Sequence, residues 1–458
     1  MRVVKVRSEG LSHLSYFVHS GPDAFVVDPR RDIDVYLKLA EENDAEIKHI
    51  FETHRNEDYV IGSLELKNRV PSARIGHSDA IDFEYGDDSL ADGEKIEMGS
   101  LEITCINTPG HTPDSMCYAV ADTSVSDDPI VVFTGDTLFV NEVGRTDLVD
   151  PDRTGEFAEV LYDSIHEKVL PLGDHVIIHP AHGAGSVCGG DIGDREFSTI
   201  GYERKHNKWL SMGRDEFVQN KLDQELILSP YFKHCEKLNT IGPPLLSERE
   251  PVRVLDVEIF EEMRHKPEHV VIDTRNPQAY LEGCIPGSTS AYLGALGMIA
   301  GWVFHPDQVF LFVLDSPTEM EEARSYLIRV GYDKVLGYLA RGIAGWREAG
   351  NDTSSMRNYE IRELKELMDK DGLQIVDVRQ PHEYHSGIIE DSKMIPLTSL
   401  EEKMGSLDKK KETVTICPSG IRSTTAASML EMNGFEEVGV PVEGLHAWRK
   451  AGLPLKKE

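Results

Sequence analysis

The sequence is short of cysteine, of basic residues and of long apolar runs. Six Cys among 458 residues are too few for a disulfide scaffold, and their scatter favours a reducing cytoplasm. No apolar run approaches the ~20 residues of a membrane span, and none follows the basic start of the chain, so we expect no membrane association and no signal peptide. With 48 Lys and Arg against 80 Asp and Glu, the net charge of −32 argues against a nucleic-acid partner.

The length predicts about two to four domains, and a hydrophobic content of 40% is enough to build their cores. The segment Gly242-Pro243-Pro244, followed by charged residues at 247–250, marks one boundary, and the polar residues 351–357 mark another. The predicted domains are 1–245, 250–350 and 356–458.

The last two segments are copies of one pattern. Asp273-Thr274-Arg275 recurs as Asp377-Val378-Arg379, and Gly345-Trp346 recurs as Ala447-Trp448, at offsets of 104 and 102 residues. Both copies alternate strand and helix signals, which predicts α/β domains with parallel sheets flanked by helices. In such sheets, sites lie at the carboxyl ends of the strands.

The second copy carries a loop between a predicted strand and a helix-like segment at 424–432. Cys417 ends the strand, and four residues separate it from Arg422. The loop N–H groups and the helix N-terminus would surround the sulfur with positive potential and so favour the reactive thiolate. We expect Cys417 and Arg422 to be catalytic, and the loop residues Ser419, Gly420 and Ile421 to bind substrate.

This loop resembles the active-site loop of rhodanese-type sulfurtransferases, which carry sulfur on the cysteine of a Cys-x4-Arg motif. Related phosphatases have one more residue in the loop, so the spacing argues against a phosphatase. In the first copy, Asp315 aligns with Cys417, and no arginine lies five residues further on. The first copy therefore resembles an inactive rhodanese domain, with an architectural role.

In the first segment, four loops that follow predicted strands carry histidine or aspartate. The residues are His54, His111, Asp136 and His182. Single histidines are often structural, but four such loops in this order favour a metal site. Between them the pattern predicts the helix 155–169 and the strand 175–178.

These loops resemble the metallo-β-lactamase fold, an αββα sandwich with metal at one edge, and within it the persulfide dioxygenases. The sequence departs from the usual first motif of this fold, His-x-His-x-Asp-His, because Asn56 and Tyr59 replace two of its histidines. That loss should disable a second metal site. The resemblance implies that His54, His111 and Asp136 bind Fe(II), one per chain, as a facial triad with open positions. The same ligands could also hold catalytic Zn²⁺.

The resemblance extends to Gly144-Arg145-Thr146-Asp147, and it suggests roles for the residues nearby. Arg145 either holds the anionic part of the carrier thiol or pairs with Asp147. Asp58 and His182, without a complete second site to join, are expected to hydrogen bond to the metal ligands. Cys188 either faces the cavity or is a buried bystander.

The domain order resembles bacterial fusion enzymes of sulfide detoxification. It implies that the first domain oxidises a low-molecular-weight thiol persulfide with O2 to sulfite and thiol, and that Cys417 passes sulfane sulfur to sulfite, giving thiosulfate. We expect a cytoplasmic homo-oligomer. Two alternatives are a hydrolase of the glyoxalase II type fused to a sulfurtransferase, and a non-catalytic sulfur carrier or docking module.

Overall fold

The structure, a computed structural model, describes residues 1–186, 188–224, 226, 228–368 and 373–457. It divides into two compact units, one formed by residues 1–248 with 328–331 and the other by 249–327 with 332–458. Residues 187, 225, 227, 369–372 and 458 of the predicted domains lie outside the described residues. The three domain limits stay predictions. Within the described residues, no helix combines the length and the apolar character needed to cross a membrane.

The described part of the first unit contains two six-stranded sheets. The first sheet runs β1 (Arg2–Ser8), β2 (His13–Ser20), β3 (Asp23–Val27), β4 (Glu46–Phe51), β5 (Arg74–Ser78) and β6 (Asp88–Leu90) in sequence order. The second runs in the reverse of sequence order, from β12 back to β7, and comprises β7 (Lys95–Met98), β8 (Leu101–Asn107), β9 (Met116–Asp122), β10 (Val131–Gly135), β11 (Ile177–Pro180) and β12 (Ser198–Thr199). The helices are α1 (Asp34–Glu42), α2 (Ser63–Arg69), α3 (Thr154–Asp163), α4 (Ile200–His206), α5 (Arg214–Leu222) and α6 (Phe232–Ile241).

The two sheets pack face to face, and helices cover their outer faces. Tyr16 of β2 and Tyr118 of β9 belong to the same buried core between the sheets. On the outer face of the first sheet, Tyr36 of α1 packs with the core of β3 and β4. On the outer face of the second, Leu161 of α3 packs with Val132 of β10. The predicted αββα sandwich is confirmed.

Two local predictions were wrong in their bounds. The helix predicted over 155–169 is α-helical only to Asp163, after which the turn Ser164–Val169 is π-helical. The strand predicted over 175–178 is β11, Ile177–Pro180, because its pairing with β10 begins at Ile177. That shift carries the strand up to the loop that holds His182.

The second unit contains two sheets, and all their described strand pairs are parallel. The first copy has the sheet order β13-β17-β16-β14-β15, with β13 (Arg253–Leu255), β14 (His269–Asp273), β15 (Thr289–Ser290), β16 (Val309–Val313) and β17 (Val335–Leu339). Its helices are α7 (Val257–Arg264), α8 (Pro277–Glu282), α9 (Leu293–Val303), α10 (Met320–Arg329) and α11 (Gly342–Glu348).

The second copy repeats this topology as β18-β22-β21-β19-β20. Its strands are β18 (Arg357–Asn358), β19 (Leu373–Asp377), β20 (Lys393–Met394), β21 (Glu412–Ile416) and β22 (Val438–Val440), and its helices are α12 (Ile361–Met368), α13 (Leu400–Lys403), α14 (Ile421–Met432) and α15 (Gly444–Lys450). One face of the sheet packs on α12 and α15 through Leu364 and Trp448, and the other on α13 and α14 through Leu400 and Leu430. The predicted parallel α/β domains are confirmed.

The strand register corrects one alignment made from the sequence. Asp273 of the first copy pairs with Val313, and Asp377 of the second copy pairs with Ile416. Val313 and Ile416 are therefore equivalent, and the next residue in the first copy, Leu314, takes the place of Cys417. The prediction that Asp315 takes that place was wrong by one residue, because the sequence pattern alone does not fix strand register.

The first copy packs directly against α14, the helix that follows Cys417. The Ser290 backbone N–H donates to Ser428 Oγ on this helix at 3.1 Å. Tyr280 and Leu281 of the first copy share a buried cluster with Ala427 of α14. These contacts support the architectural role predicted for the first copy.

Candidate functional site

The four loops singled out in the first domain all begin at strand ends. His54 follows β4, His111 follows β8, Asp136 directly follows β10, and His182 follows β11. All four side chains are buried. Because the ends of β4, β8, β10 and β11 meet at one edge of the sandwich, the fold brings together residues that are far apart in the sequence.

Three of these residues form a group of candidate metal ligands. One donor atom from each of His54, His111 and Asp136 lies within 4.8 Å of the other two. His111 Nε2 is 3.4 Å from Asp136 Oδ2, and His54 Nε2 is 3.9 Å from the same oxygen. These separations exceed hydrogen-bond length and suit atoms that share a cation.

The outer hydrogen bonds of both imidazoles turn their Nε2 atoms inward. His111 Nδ1 is 2.9 Å from the Arg145 carbonyl oxygen, which can only accept, so Nδ1 carries the proton. His54 Nδ1 is 2.9 Å from Thr53 Oγ1, whose own hydrogen is donated to Asp28, so here too Nδ1 is the donor. Each Nε2 therefore presents a lone pair, and neither has a hydrogen-bond partner among the described residues. Buried, unpartnered imidazole nitrogens fit a metal ion.

The positions where a second metal site would need histidine hold other groups. Asn56 donates its side-chain amide to the His54 carbonyl oxygen at 3.0 Å. The Tyr59 ring stacks on His13, with ring centroids 3.8 Å apart. Neither side chain offers an imidazole to a metal.

Asp58 and His182 were expected to hydrogen bond to the metal ligands; in the structure His182 contacts Asp136 directly, and Asp58 contacts His182. His182 Nδ1 donates to Asp136 Oδ1 at 2.8 Å, and its Nε2 is 2.9 Å from Asp58 Oδ2. Burial alone would lower the pKa of His182, but Asp136 and Asp58 outweigh burial and hold that pKa well above its ordinary value. Asp58, His182 and Cys188 also form a second group of potential donors.

Glu57 is a residue of this site that the sequence analysis missed. Its side chain is 1% exposed, and its Oε1 is 3.4 Å from His111 Nε2. Cys188, which is buried, donates to Oε1 at 3.4 Å. Burial, with the nearby carboxylates of Asp58 and Glu57, raises the pKa of the Cys188 thiol well above its ordinary value. The one sequence signal was that Glu57 lies in the same short motif as His54.

Arg145 was predicted either to bind substrate or to pair with Asp147. In the structure its Nε and Nη2 donate to the two carboxylate oxygens of Asp147, each at 2.7 Å. Arg145 is 1% exposed. The geometry supports the ion-pair alternative, in which Arg145 also positions His111 through its carbonyl oxygen.

The Cys417 loop has the strand–loop–helix form expected from its sequence. Helix α14 begins at Ile421, three residues before the predicted start, so its N-terminus adjoins the loop directly. Gly420 caps the helix at φ 81°, and a Cβ there would lie 2.0 Å from the Val442 carbonyl oxygen, so only glycine fits. Ser419 is exposed and Ile421 is half-buried.

The Cys417 side chain is buried, and its Sγ is 3.3 Å from Ser423 Oγ. Arg422 Nη1 and Nη2 donate to Glu383 Oε2 and Oε1 at 2.5 and 2.7 Å. Burial would raise the pKa of Glu383, but hydrogen bonding to Arg422 lowers it, so the pair is ionised. Glu383 is a second residue that the sequence analysis did not assign. This two-point contact fixes the guanidinium beside the loop.

Comparison with known proteins agrees with this architecture. The rhodanese-like domain model matches residues 256–349 and 360–451, and the metallo-beta-lactamase superfamily model matches residues 9–182. The chain is 29% identical over 202 residues to the mitochondrial persulfide dioxygenase ETHE1 of Bos taurus, spanning 43% of this chain and 70% of that protein. It is 28% identical over 219 residues to Glyoxylase B2 of Dictyostelium discoideum, with coverages of 43% and 70%.

A solved structure, a metallo-beta-lactamase from Staphylococcus aureus subsp. aureus COL, is similar with a TM-score of 0.65 and 26% identity. The similarity covers 74% of this chain and 98% of that one, so it extends beyond the first domain. The chain therefore contains a metallo-beta-lactamase domain with persulfide dioxygenase homologues, followed by two rhodanese-like domains. The persulfide dioxygenase homology and the rhodanese-like domains indicate a role in sulfur metabolism.

Proposed function

We propose that the protein oxidises the terminal sulfur of a low-molecular-weight thiol persulfide and then transfers sulfane sulfur to the product. The first reaction converts persulfide, O2 and water to sulfite, free thiol and protons. In the second, a sulfane sulfur held on Cys417 passes to sulfite, which releases thiosulfate and regenerates the cysteine thiolate. The homology to persulfide dioxygenases and the presence of a rhodanese loop with its cysteine support this sequence.

One observation carries the first half of the proposal: the three candidate ligands of one metal site are present and face inward, whereas a second metal site lacks two of its histidines. His54, His111 and Asp136 would hold one Fe(II) per chain, and bound iron would supply the redox chemistry that joins O2 to sulfur. The replacements at Asn56 and Tyr59 remove two imidazoles that a two-metal hydrolase requires. His182 and the Arg145 carbonyl oxygen hold the ligands in orientation.

In the second half, the residues of the last domain bind and move a single sulfur atom. Cys417 would attack the sulfane sulfur of the donor, displace the thiol and hold the sulfur as a persulfide. Sulfite would then attack that outer sulfur, and the Cys417 thiolate would leave. Arg422, fixed by Glu383, would orient the anionic groups at the loop.

A histidine variant tests the proposal. His111→Ala should abolish iron binding and O2 uptake with glutathione persulfide or coenzyme A persulfide, while thiosulfate cleavage by the last domain continues. His166→Ala is the matched control, because that imidazole stacks on Tyr162 and hydrogen bonds to a backbone carbonyl away from the site. Persulfide-dependent O2 uptake that survives in His111→Ala would contradict the ligand assignment.

A second candidate function is metal-dependent thioester hydrolysis. The similarity to Glyoxylase B2 and the second donor group of Asp58, His182 and Cys188 favour it. Two zinc ions per chain together with thioester turnover would support it over oxidation. The cytoplasmic location and the homo-oligomer expected from the sequence stay predictions.

A further inference from the structure

Glu57 stands to the two metal-binding imidazoles as Asp136 does. Its Oε1 is 3.4 Å from His111 Nε2, and its Oε2 is 3.9 Å from His54 Nε2. Asp136 Oδ2 lies at the same two distances, 3.4 and 3.9 Å, from the same nitrogens. Asp136 approaches both nitrogens with one oxygen, whereas Glu57 approaches each nitrogen with a different oxygen.

These distances suit atoms that share an ion rather than atoms that bond to each other. A hydrogen bond between nitrogen and oxygen measures about 2.7–3.2 Å. Ligand atoms bound to one metal at about 2.1 Å, with angles between tetrahedral and octahedral values, lie about 3.0–3.4 Å apart. The 3.4 Å separation of Glu57 Oε1 and His111 Nε2 falls at the upper end of the second range. The 3.9 Å separation of Glu57 Oε2 and His54 Nε2 lies beyond that range, as does the 3.9 Å separation of Asp136 Oδ2 and His54 Nε2.

Two unpartnered atoms point to the same conclusion. Glu57 Oε2 and His54 Nε2 are both buried, and neither has a hydrogen-bond partner among the described residues. A buried carboxylate oxygen without a partner is costly. A cation between the two atoms would satisfy both of them. The other oxygen, Oε1, accepts the Cys188 thiol hydrogen at 3.4 Å, which fixes the orientation of the carboxylate.

The charges at the site are consistent with a cation there. The carboxylates of Glu57, Asp58 and Asp136 are all buried, and those of Glu57 and Asp136 lie 3.4 Å from His111 Nε2 and 3.9 Å from His54 Nε2. Buried carboxylates require a compensating positive charge. His182, held between Asp58 and Asp136, faces two of the three. A divalent ion bound to the triad would compensate the third.

We propose that Glu57 is a fourth protein ligand of the ion held by His54, His111 and Asp136, and that the Cys188 thiol orients its carboxylate. This inference rests on the proposed metal site and deepens it. Four protein ligands leave a six-coordinate ion with two positions for other molecules, which matches the two reactants of the proposed oxidation.

The test measures metal binding directly. Apoprotein of the full chain is prepared with a chelator and titrated anaerobically with Fe(II) or with Co(II), whose visible absorption reports the number and type of ligands. Glu57→Gln should weaken the affinity by about 10- to 100-fold and change the Co(II) absorption. Glu57→Asp, which keeps the charge on a shorter side chain, should fall between Glu57→Gln and the unaltered protein.

Two variants make the outcomes distinct. Glu203→Gln is the matched control, because Glu203 is buried in the same domain but accepts hydrogen bonds from the Asn141 backbone and the Asn207 side chain. It should leave the titration unchanged. If His111→Ala loses the metal while Glu57→Gln and Glu57→Asp bind it with unchanged affinity and spectrum, the role of Glu57 is refuted and the triad stands. If His111→Ala also binds normally, the triad and the proposed function fail with it.

Discussion

The two rhodanese copies share a sheet topology and a buried Asp–Arg ion pair, and they differ in the loop that begins at Leu314 in the first copy and at Cys417 in the second. In the first copy, Arg275 donates to both carboxylate oxygens of Asp273, with Nε–Oδ1 at 2.9 Å and Nη2–Oδ2 at 2.6 Å. In the second, Arg379 and Asp377 repeat the same two distances. Each arginine also donates to a glycine carbonyl oxygen at 2.9 Å. The duplication has therefore preserved the buried ion pair irrespective of chemistry.

The loops differ in charge as well as in the missing thiol. With Leu314 equivalent to Cys417, Glu319 takes the position of Arg422. The Glu319 carboxylate accepts the backbone N–H groups of Asp315 and Ser316 at 3.1 and 3.2 Å. In the first copy, two loop N–H groups are thus occupied by the protein's own carboxylate, and the loop over residues 314–319, all of which the structure describes, contains no cysteine. The comparison teaches that the sheet and ion pair support the loop, whereas the loop carries the chemistry.

The largest expected effect comes from the cysteine. Cys417→Ser should abolish thiosulfate formation from persulfide and O2, and sulfite should accumulate instead, because a hydroxyl cannot hold sulfane sulfur. Adding Leu314→Cys to the Cys417→Ser variant should not restore sulfur transfer, since the Glu319 carboxylate occupies the N–H groups of that loop. Product analysis by ion chromatography measures both. Thiosulfate at the native rate in Cys417→Ser would show that the transfer step lies elsewhere.

Because both copies contain the same buried Asp–Arg pair, breaking the pair should cost equal stability in the two copies. Asp273→Asn and Asp377→Asn each leave a buried arginine without its carboxylate, which should cost about 3 kcal/mol. Equilibrium urea unfolding followed by circular dichroism measures the loss. A loss of stability confined to Asp377→Asn would show that this pair supports the Cys417 loop rather than the sheet that both copies share.

The Glu383–Arg422 pair is specific to the Cys417 loop, since Ala279 and Glu319 stand at the equivalent positions of the first copy. Glu383→Gln should lower the rate of loading Cys417 with sulfur from thiosulfate by about tenfold, the equivalent of about 1.4 kcal/mol. Intact-mass measurement of the persulfide follows the loading. Glu363→Gln, which alters an exposed pair with Arg357, is the control and should have no effect.

The smallest effect is expected from a change in the loop of the first copy that contains Glu319. Glu319→Gln weakens the acceptor for two backbone N–H groups and the capping box with Ser316, and should cost about 1 kcal/mol of stability. Sulfur transfer should be unchanged. The same urea titration detects the change, and reduced transfer in this variant would mean that the first copy takes part in the chemistry.

The sequence was sufficient for the fold class, and it singled out loops that the structure brings together. Histidine and aspartate in loops that follow predicted strands indicated a metal site, and the family resemblance implied His54, His111 and Asp136 as its ligands. The duplicated Asp-x-Arg pattern predicted two copies of one domain, and the alternating strand and helix signals of each copy predicted a parallel sheet. The strands and the repeat depend on periodicity and spacing, which a single sequence displays, whereas the ligand set rests on the family resemblance.

What the sequence did not reveal depends on side-chain direction and register. Glu57 is one charged residue in a polar motif, and only the folded chain shows that it turns toward His111 instead of solvent. Glu383 finds Arg422 across 39 residues of chain. Leu314 and Asp315 are adjacent, so that only strand pairing decides which one replaces Cys417. The early start of α14 at Ile421 requires the left-handed Gly420, which the pattern alone did not identify.

The most direct test of the central claim is the metal content of anaerobically purified protein, measured together with O2 uptake on adding glutathione persulfide. The account predicts about one iron per chain, held by His54, His111 and Asp136, and oxygen consumption that depends on persulfide. A pair of zinc ions per chain, with no oxygen consumed, would contradict it.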